Sequence, residues 1–123
     1  MNTINNIQQC LRNQQYVEAK SHIDTLDEPS KTIWTGWLIV YEEGLYAGEQ
    51  YCLNVLHTDP SLGAVWGILG WIYWEQDHPQ KALVVYERSL KIAWSRAVYL
   101  NAISVGCETG VFERVQSVMD AYE

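Results

Sequence analysis

The stretch Trp66-Gly-Ile-Leu69-Gly70-Trp-Ile-Tyr73, followed by Ala82 and Tyr86, decides how this chain is read. Its pattern is W-x-x-L-G-x-x-Y, then a small residue, then an aromatic one turn later. Trp66, Leu69 and Tyr73 stand at i, i+3 and i+7, the spacing of a single helix face. Gly70 lies beside that face and removes a side chain where a second helix has to come close. Ala82 and Tyr86, one turn apart on the next helix, supply a hole and a plug. A two-helix hairpin results, with Trp66, Leu69, Tyr73, Ala82 and Tyr86 expected in one buried cluster.

These residues closely resemble the tetratricopeptide repeat, a helix hairpin that recurs every 34 residues. Moving back by that period maps Gly70 onto Gly36, Trp71 onto Trp37, Ala82 onto Gly48 and Leu90 onto Leu56. Asp59-Pro60 sits where such a repeat closes. Thr32 replaces Trp66 and Cys52 replaces Tyr86, so this second hairpin packs smaller residues. The flanks are more degenerate. Tyr16-Val-Glu-Ala19 resembles the opening of a second helix, continued by Ile23 and Leu26. Gly110-Val-Phe112-Glu-Arg-Val115 resembles the same opening, continued by Met119 and Tyr122, and is preceded by an Ala97, Leu100, Ser104 stripe.

The resemblance implies an all-α, right-handed superhelix of about four hairpins in a single domain over 1–123, with hairpins near 3–27, 31–58, 62–92 and 96–122. Individual helices are expected near 3–13, 16–27, 31–43, 46–58, 62–76, 79–92, 96–108 and 112–122. Punctuation agrees with these bounds. Gly44 and Gly110 stand where helices should stop in left-handed caps, and Pro79 fits the first turn of a helix. Ser30, Ser61 and Ser95 are placed to cap helix starts. Trp94 takes the slot of Pro60 at the last junction, which predicts a tighter or differently angled turn. Both terminal helices have polar outer faces, Asn2, Asn5, Gln8 and Gln9 at one end and Glu113, Gln116, Ser117 and Asp120 at the other. Open end-to-end polymerisation is therefore not expected.

The first-helix stripes are the candidate binding surface. Trp34, Trp37 and Tyr41 stand at i, i+3 and i+7, nearly opposite Thr35, Gly36 and Ile39, which should pack inside the hairpin. Ile68, Trp71 and Trp74 repeat the arrangement, opposite Trp66, Leu69 and Tyr73. A helix apolar on two faces must bury both or use one for binding. The resemblance implies that first helices line a concave groove holding extended or helical peptides. Carried over residue by residue, the groove is Trp34, Trp37, Val40, Tyr41, Ile68, Trp71 and Trp74, with Glu75 at its edge and Leu100 and Asn101 extending it. Such stripes also serve as inter-repeat core, so both readings stay open. Tryptophan and tyrosine dominate binding hot spots, and this chain has 6 Trp and 8 Tyr.

Relatives that grip a peptide carboxylate do so with Lys, Arg and Asn on their first helices. The corresponding slots here hold Ile33, Trp37, Ala64 and Ile68, so that clamp does not form from them. The groove is more similar in character to that of repeat-containing secretion chaperones, which hold apolar segments.

The net charge is −7, from 8 basic and 15 acidic residues, which argues against duplex DNA or an anionic membrane as the main partner. No Lys or Arg lies between Lys31 and Lys81, whereas Glu42, Glu43, Glu49, Asp59, Glu75 and Asp77 do. Such a rim favours a ligand with basic flanks. The N-terminus has neither a basic cluster nor an apolar run, so a cytoplasmic location is expected. Cys10, Cys52 and Cys107 are read as buried small hydrophobes, and no Cys or His pair has metal-ligand spacing. No catalytic motif occurs, and adjacent Glu42 and Glu43 cannot face one substrate as an acid/base pair. A non-enzymatic protein-binding module, adaptor or small chaperone, without cofactor or metal and acting as monomer or homodimer, is the expected function. The alternative is a structural subunit or dimer whose aromatic face is permanently covered.

Overall fold

The computed structural model describes residues 2–110 and 112–121, without the side chains of Thr109, Phe112, Arg114 and Val115. Among them are α1 (Thr3–Arg12), α2 (Tyr16–Ile23), α3 (Ser30–Glu43), α4 (Leu45–Thr58), α5 (Gly63–Glu75), α6 (Pro79–Ile92), α7 (Arg96–Thr109) and α8 (Phe112–Ala121), and no strand. The all-α expectation is met, and helices pack on their chain neighbours: α1 on α2, α2 on α3, α5 on α6, α6 on α7 and α7 on α8. Contacts divide the chain into two compact units, Met1–Tyr51 and Cys52–Glu123. Tyr122, expected at the end of the last helix, lies outside the described residues, as do the side chains of Phe112 and Val115.

The core of the first unit is Ile7, Cys10, Leu11, Ala19, Ile23 and Leu38, with Tyr16, Leu26, Trp34 and Trp37 packed against it. Helix α2 ends at Ile23, earlier than expected. Beyond it the chain turns, with the Leu26 N–H bonded to the Ile23 carbonyl, and Leu26 still reaches the core. Pro29, which cannot continue a helix, then sets the start of α3.

The core of the second unit is Ala82, Leu83, Tyr86, Leu90, Ala102, Val105 and Val118. Its tightest approach is at Gly70. A Cβ there would lie 2.6 Å from the Tyr86 ring, so the glycine is what admits the phenol. Gly63 and Gly67 continue the same edge of α5: a Cβ on the first would meet Ala93 at 3.0 Å, and on the second Val98 at 3.1 Å. Beneath them the Ser89 hydroxyl, itself buried, donates to the Gly63 carbonyl at 2.7 Å.

The phase of α5 differs from the expectation. Leu69, Ala82 and Tyr86 are fully buried as expected, but Trp66 and Tyr73 are only partly so. Their places belong to Val65 and Ile72, which with Leu69 form the buried stripe. Indole N–H groups need an acceptor, and Trp66 finds one near the surface, donating to the Pro60 carbonyl at 2.9 Å. The Arg88 guanidinium lies over its ring, 5.2 Å from the centroid. Trp66 is therefore a latch on the outside of the hairpin instead of a core ring.

The helix ends correct several capping expectations. Ser95 does accept from the Val98 N–H, and Gly110 does take a left-handed conformation. Gly44 also has positive φ, but with ψ 177°, an extended conformation open to glycine alone. Ser61 caps nothing, because Asp59 takes both its N–H and its hydroxyl. Ser30 lies inside α3, and Glu28 does the capping: its carboxylate accepts from the Thr32 N–H at 2.8 Å and from the Thr32 hydroxyl. Those bonds, the side-chain one foremost, hold the Glu28 carboxyl below its usual range.

Helices α1 and α5 end in the same device. Gln14 and Asp77 have φ near +60°, and the next residue reaches back across the turn: the Gln15 N–H to the Cys10 carbonyl, the His78 N–H to the Tyr73 carbonyl, both at 2.8 Å. These are Schellman turns with glycine replaced by side-chain-bearing residues.

Two tests follow from this packing. Gly70→Ala, which should gain helix propensity, is expected to lose about 1–3 kcal/mol through collision with Tyr86, whereas Asp77→Gly should gain about 0.5–1 kcal/mol by relieving the left-handed strain. Chemical denaturation of the two variants checks the opposite signs. Glu28→Gln should lower the melting temperature near neutral pH. Because the folded pKa is depressed, the carboxylate's contribution is present above its unfolded pKa and is lost as pH falls through the folded value. The gap between wild type and variant should thus close on acidification.

Candidate functional site

Helix α3 meets α1 in the first unit because Leu38 joins the same core as Ile7 and Leu11. Trp34 and Trp37 rest on that core by one edge and leave the other exposed. Together with Tyr41 they wall a cleft of about 240 Å³, closed on the other side by Gln8, Leu11 and Arg12 of α1. Tyr41 is 46 % exposed. Its backbone is held by the Tyr16 hydroxyl, which donates to the Tyr41 carbonyl at 3.1 Å. The expected stripe Trp34, Trp37, Tyr41 is therefore assembled in one place, half core and half surface. Val40, expected beside it, is buried, because it stands one turn beyond the buried Gly36 and shares that inward face.

The α1 wall was not expected. Gln8, placed by the sequence on an outer polar face, borders the cleft together with Leu11, which also belongs to the core. The findable signal was the Gln8, Leu11, Arg12 spacing of i, i+3 and i+4, which places three residues on one helix edge. Arg12 also changes the electrostatics. It is the sole charged residue among those lining the cleft, so this mouth is basic where an acidic rim was expected. Glu42 and Glu43 are exposed just beyond, at the end of α3.

The remaining expected site residues lie in the second unit. Ile68 is 2 % exposed and belongs to the interior, so it is no lining residue. Helix α5 is apolar on all sides, and burial takes Val65, Ile68, Leu69 and Ile72 together. Trp71 is partly buried, and Trp74 is partly buried against the second core. Glu75 is exposed, Leu100 is 47 % exposed and Asn101 partly buried.

Asn101 and Glu75 both act on Tyr86. The phenol's hydroxyl is buried and meets no hydrogen-bond partner among the described residues. Burial pushes its pKa well above the ordinary tyrosine value. The nearby Asn101 amide offsets part of that shift and the Glu75 charge adds to it. The Asn101 influence is one of proximity, since the geometry falls short of a bond. Among the described residues no group of three His, Cys, Asp or Glu side chains converges as a metal site. Cys10 and Cys52 are buried as expected, but Cys107 is exposed, a correction to the reading of all three as interior residues. No helix among the described residues is long and apolar enough to cross a membrane.

No protein-family model matches this sequence, and no characterised protein aligns with it significantly.

An unpaired buried hydroxyl predicts an unusual variant. Tyr86→Phe should leave stability unchanged or raise it by up to about 1 kcal/mol, because it removes desolvated polarity and no bond. The folded phenol's raised pKa gives a contribution present below the unfolded value near 10 and lost as pH rises toward the folded one. Urea titrations should therefore show wild type losing ground to the variant in alkaline solution.

Proposed function

We propose that this chain is a non-enzymatic protein-binding module of tetratricopeptide-like character, its hairpins repeating as in a right-handed solenoid. The reading rests on one observation above others: three aromatic rings from a single helix stand over a packed core and face an open cleft. Rings held this way present large apolar area at little entropic cost, the property that makes Trp and Tyr binding anchors. A ligand of about the right size for the cleft is one or two apolar side chains of a peptide, inserted between α1 and α3. Trp71, one 34-residue period after Trp37, offers an equivalent ring in the second unit. Basic flanks on the ligand would suit Glu42 and Glu43 at the end of α3, but the segment seated next to Arg12 would not be one of them.

The test is selection of peptides from a random library on the immobilised full chain, followed by calorimetry with the winners. Selected peptides should share an apolar core, and tryptophan emission should shift to the blue as they bind. Trp37→Ala should cost at least about 2 kcal/mol of binding. Affinity unchanged in folded Trp37→Ala, or no enrichment over the bare matrix, would remove the cleft as the site. A structural subunit with its aromatic face permanently covered would instead resist purification alone or show emission already blue.

A further inference from the structure

Two short junctions are exposed and oppositely charged. One joins α3 to α4: Glu42, Glu43, Gly44, Leu45 and Tyr46, with both glutamates exposed and Tyr46 73 % exposed. The other joins α6 to α7: Lys91, Ile92, Ala93, Trp94, Ser95 and Arg96, with both cations exposed and Trp94 53 % exposed. The second contains the tryptophan that replaces the junction proline of the preceding hairpin.

Both junctions are fixed from within. In the first, the Gly44 N–H donates to the Val40 carbonyl and the Gly44 carbonyl accepts from the Gly48 N–H, each at 3.1 Å. In the second, the Ala93 N–H donates to the Ser89 carbonyl at 2.9 Å, and Ala93 and Ile92 sit in the space left by Gly63. Trp94 contacts Tyr99, ring centroids 6.0 Å apart, and Ser95 caps α7. Rings presented on a rigid backbone have already paid the ordering cost of binding.

Charge distribution gives each junction a complement on the same chain. From Lys81 to Arg96 the sequence holds Lys81, Arg88, Lys91 and Arg96 against Glu87 alone, although the net charge is −7. The acidic junction lies within the stretch that has no Lys or Arg. None of Glu42, Glu43, Lys91 and Arg96 ion-pairs with a described residue.

We propose that these junctions are the two halves of a contact between copies of this chain. Lys91 and Arg96, flanking Ile92 and Trp94 on one copy, meet Glu42 and Glu43 beside Tyr46 on another. Charges pair at the rim and rings stack at the centre, the usual anatomy of an interface. Two copies that engage reciprocally close as a dimer, and copies that engage through one half each form a ring or a short chain. Two short junctions bury less than a standard interface, so the association is transient. Nucleic acid and anionic membrane fit the basic junction less well, since the rest of the molecule repels them. The contact uses none of the residues that line the α1/α3 cleft and does not depend on what that cleft binds.

Sedimentation velocity of the full chain tests this at about 10 and about 300 μM, concentrations that bracket weak association, and at physiological salt. The wild type should sediment faster at the higher concentration. Lys91→Gln with Arg96→Gln, and Glu42→Gln with Glu43→Gln, should each weaken association about tenfold or more. They change the net charge of −7 by two in opposite directions, to −9 and −5. General repulsion would weaken the first and strengthen the second, whereas a specific contact loses both. Mixed in equal amounts they should regain a 1:1 complex, since each supplies the half the other lacks. Trp94→Ser should weaken association about tenfold with at most a small drop in melting temperature from the lost Tyr99 contact, and it decides the matter if a double variant fails to fold. A wild type that stays monomeric at the higher concentration, folded variants that associate like wild type, or a mixture that stays monomeric would each overturn the proposal.

Discussion

The second unit depends on the approach of the Tyr86 ring to the bare backbone of Gly70. Any side chain at position 70 would occupy the ring's own volume, and any smaller residue at 86 would leave a void where packing density is otherwise that of a crystal. With the phenol seated, α6 lies close enough for Ser89 to reach the Gly63 carbonyl and for Ala93 to take the space above Gly63. Val98 of α7 then comes within contact of Gly67. One missing Cβ thus sets the spacing of two helices and brings a third to the edge of the same helix. The unpaired Tyr86 hydroxyl is the cost of filling this gap with an aromatic ring.

The first unit solves a different problem. Its α3 carries more aromatic area than its core can cover, and the excess becomes the wall of a cleft. Trp34 and Trp37 each serve both purposes, so a truncation there removes packing and surface together. Arg12 has no such double duty. It stands at the exposed end of α1 and adds a charge next to the rings without contributing to the core.

The α5–α6 hairpin was legible because its spacing encodes contact: a glycine, an alanine and a tyrosine at fixed intervals admit few arrangements. Helix existence and most boundaries were legible for the same reason, through apolar period and Gly or Pro punctuation. What the pattern could not fix was the rotation of α5 about its own axis. Trp66 and Val65 are neighbours in sequence, and choosing which turns inward depends on where the indole N–H finds an acceptor. Ile68 was misplaced by the same ambiguity, because a helix apolar on every side has no preferred face. The Glu28 cap and the Arg12 wall were hidden for another reason. Each involves a side chain reaching outside the periodic pattern, across a proline in one case and between helices in the other.

The three cysteines give the molecule a built-in clock for its own openings. Cys107 is accessible in the folded state, while Cys10 sits in the core of the first unit and Cys52 is fully buried in the second. An alkylating reagent should therefore modify one thiol at once and the other two only when their surroundings open. The delay at Cys10 measures fluctuation of the α1–α2 hairpin, and the delay at Cys52 that of the helix crossing the boundary between the units. Equal delays would mean that both parts open in a single cooperative event, and unequal ones that they yield separately.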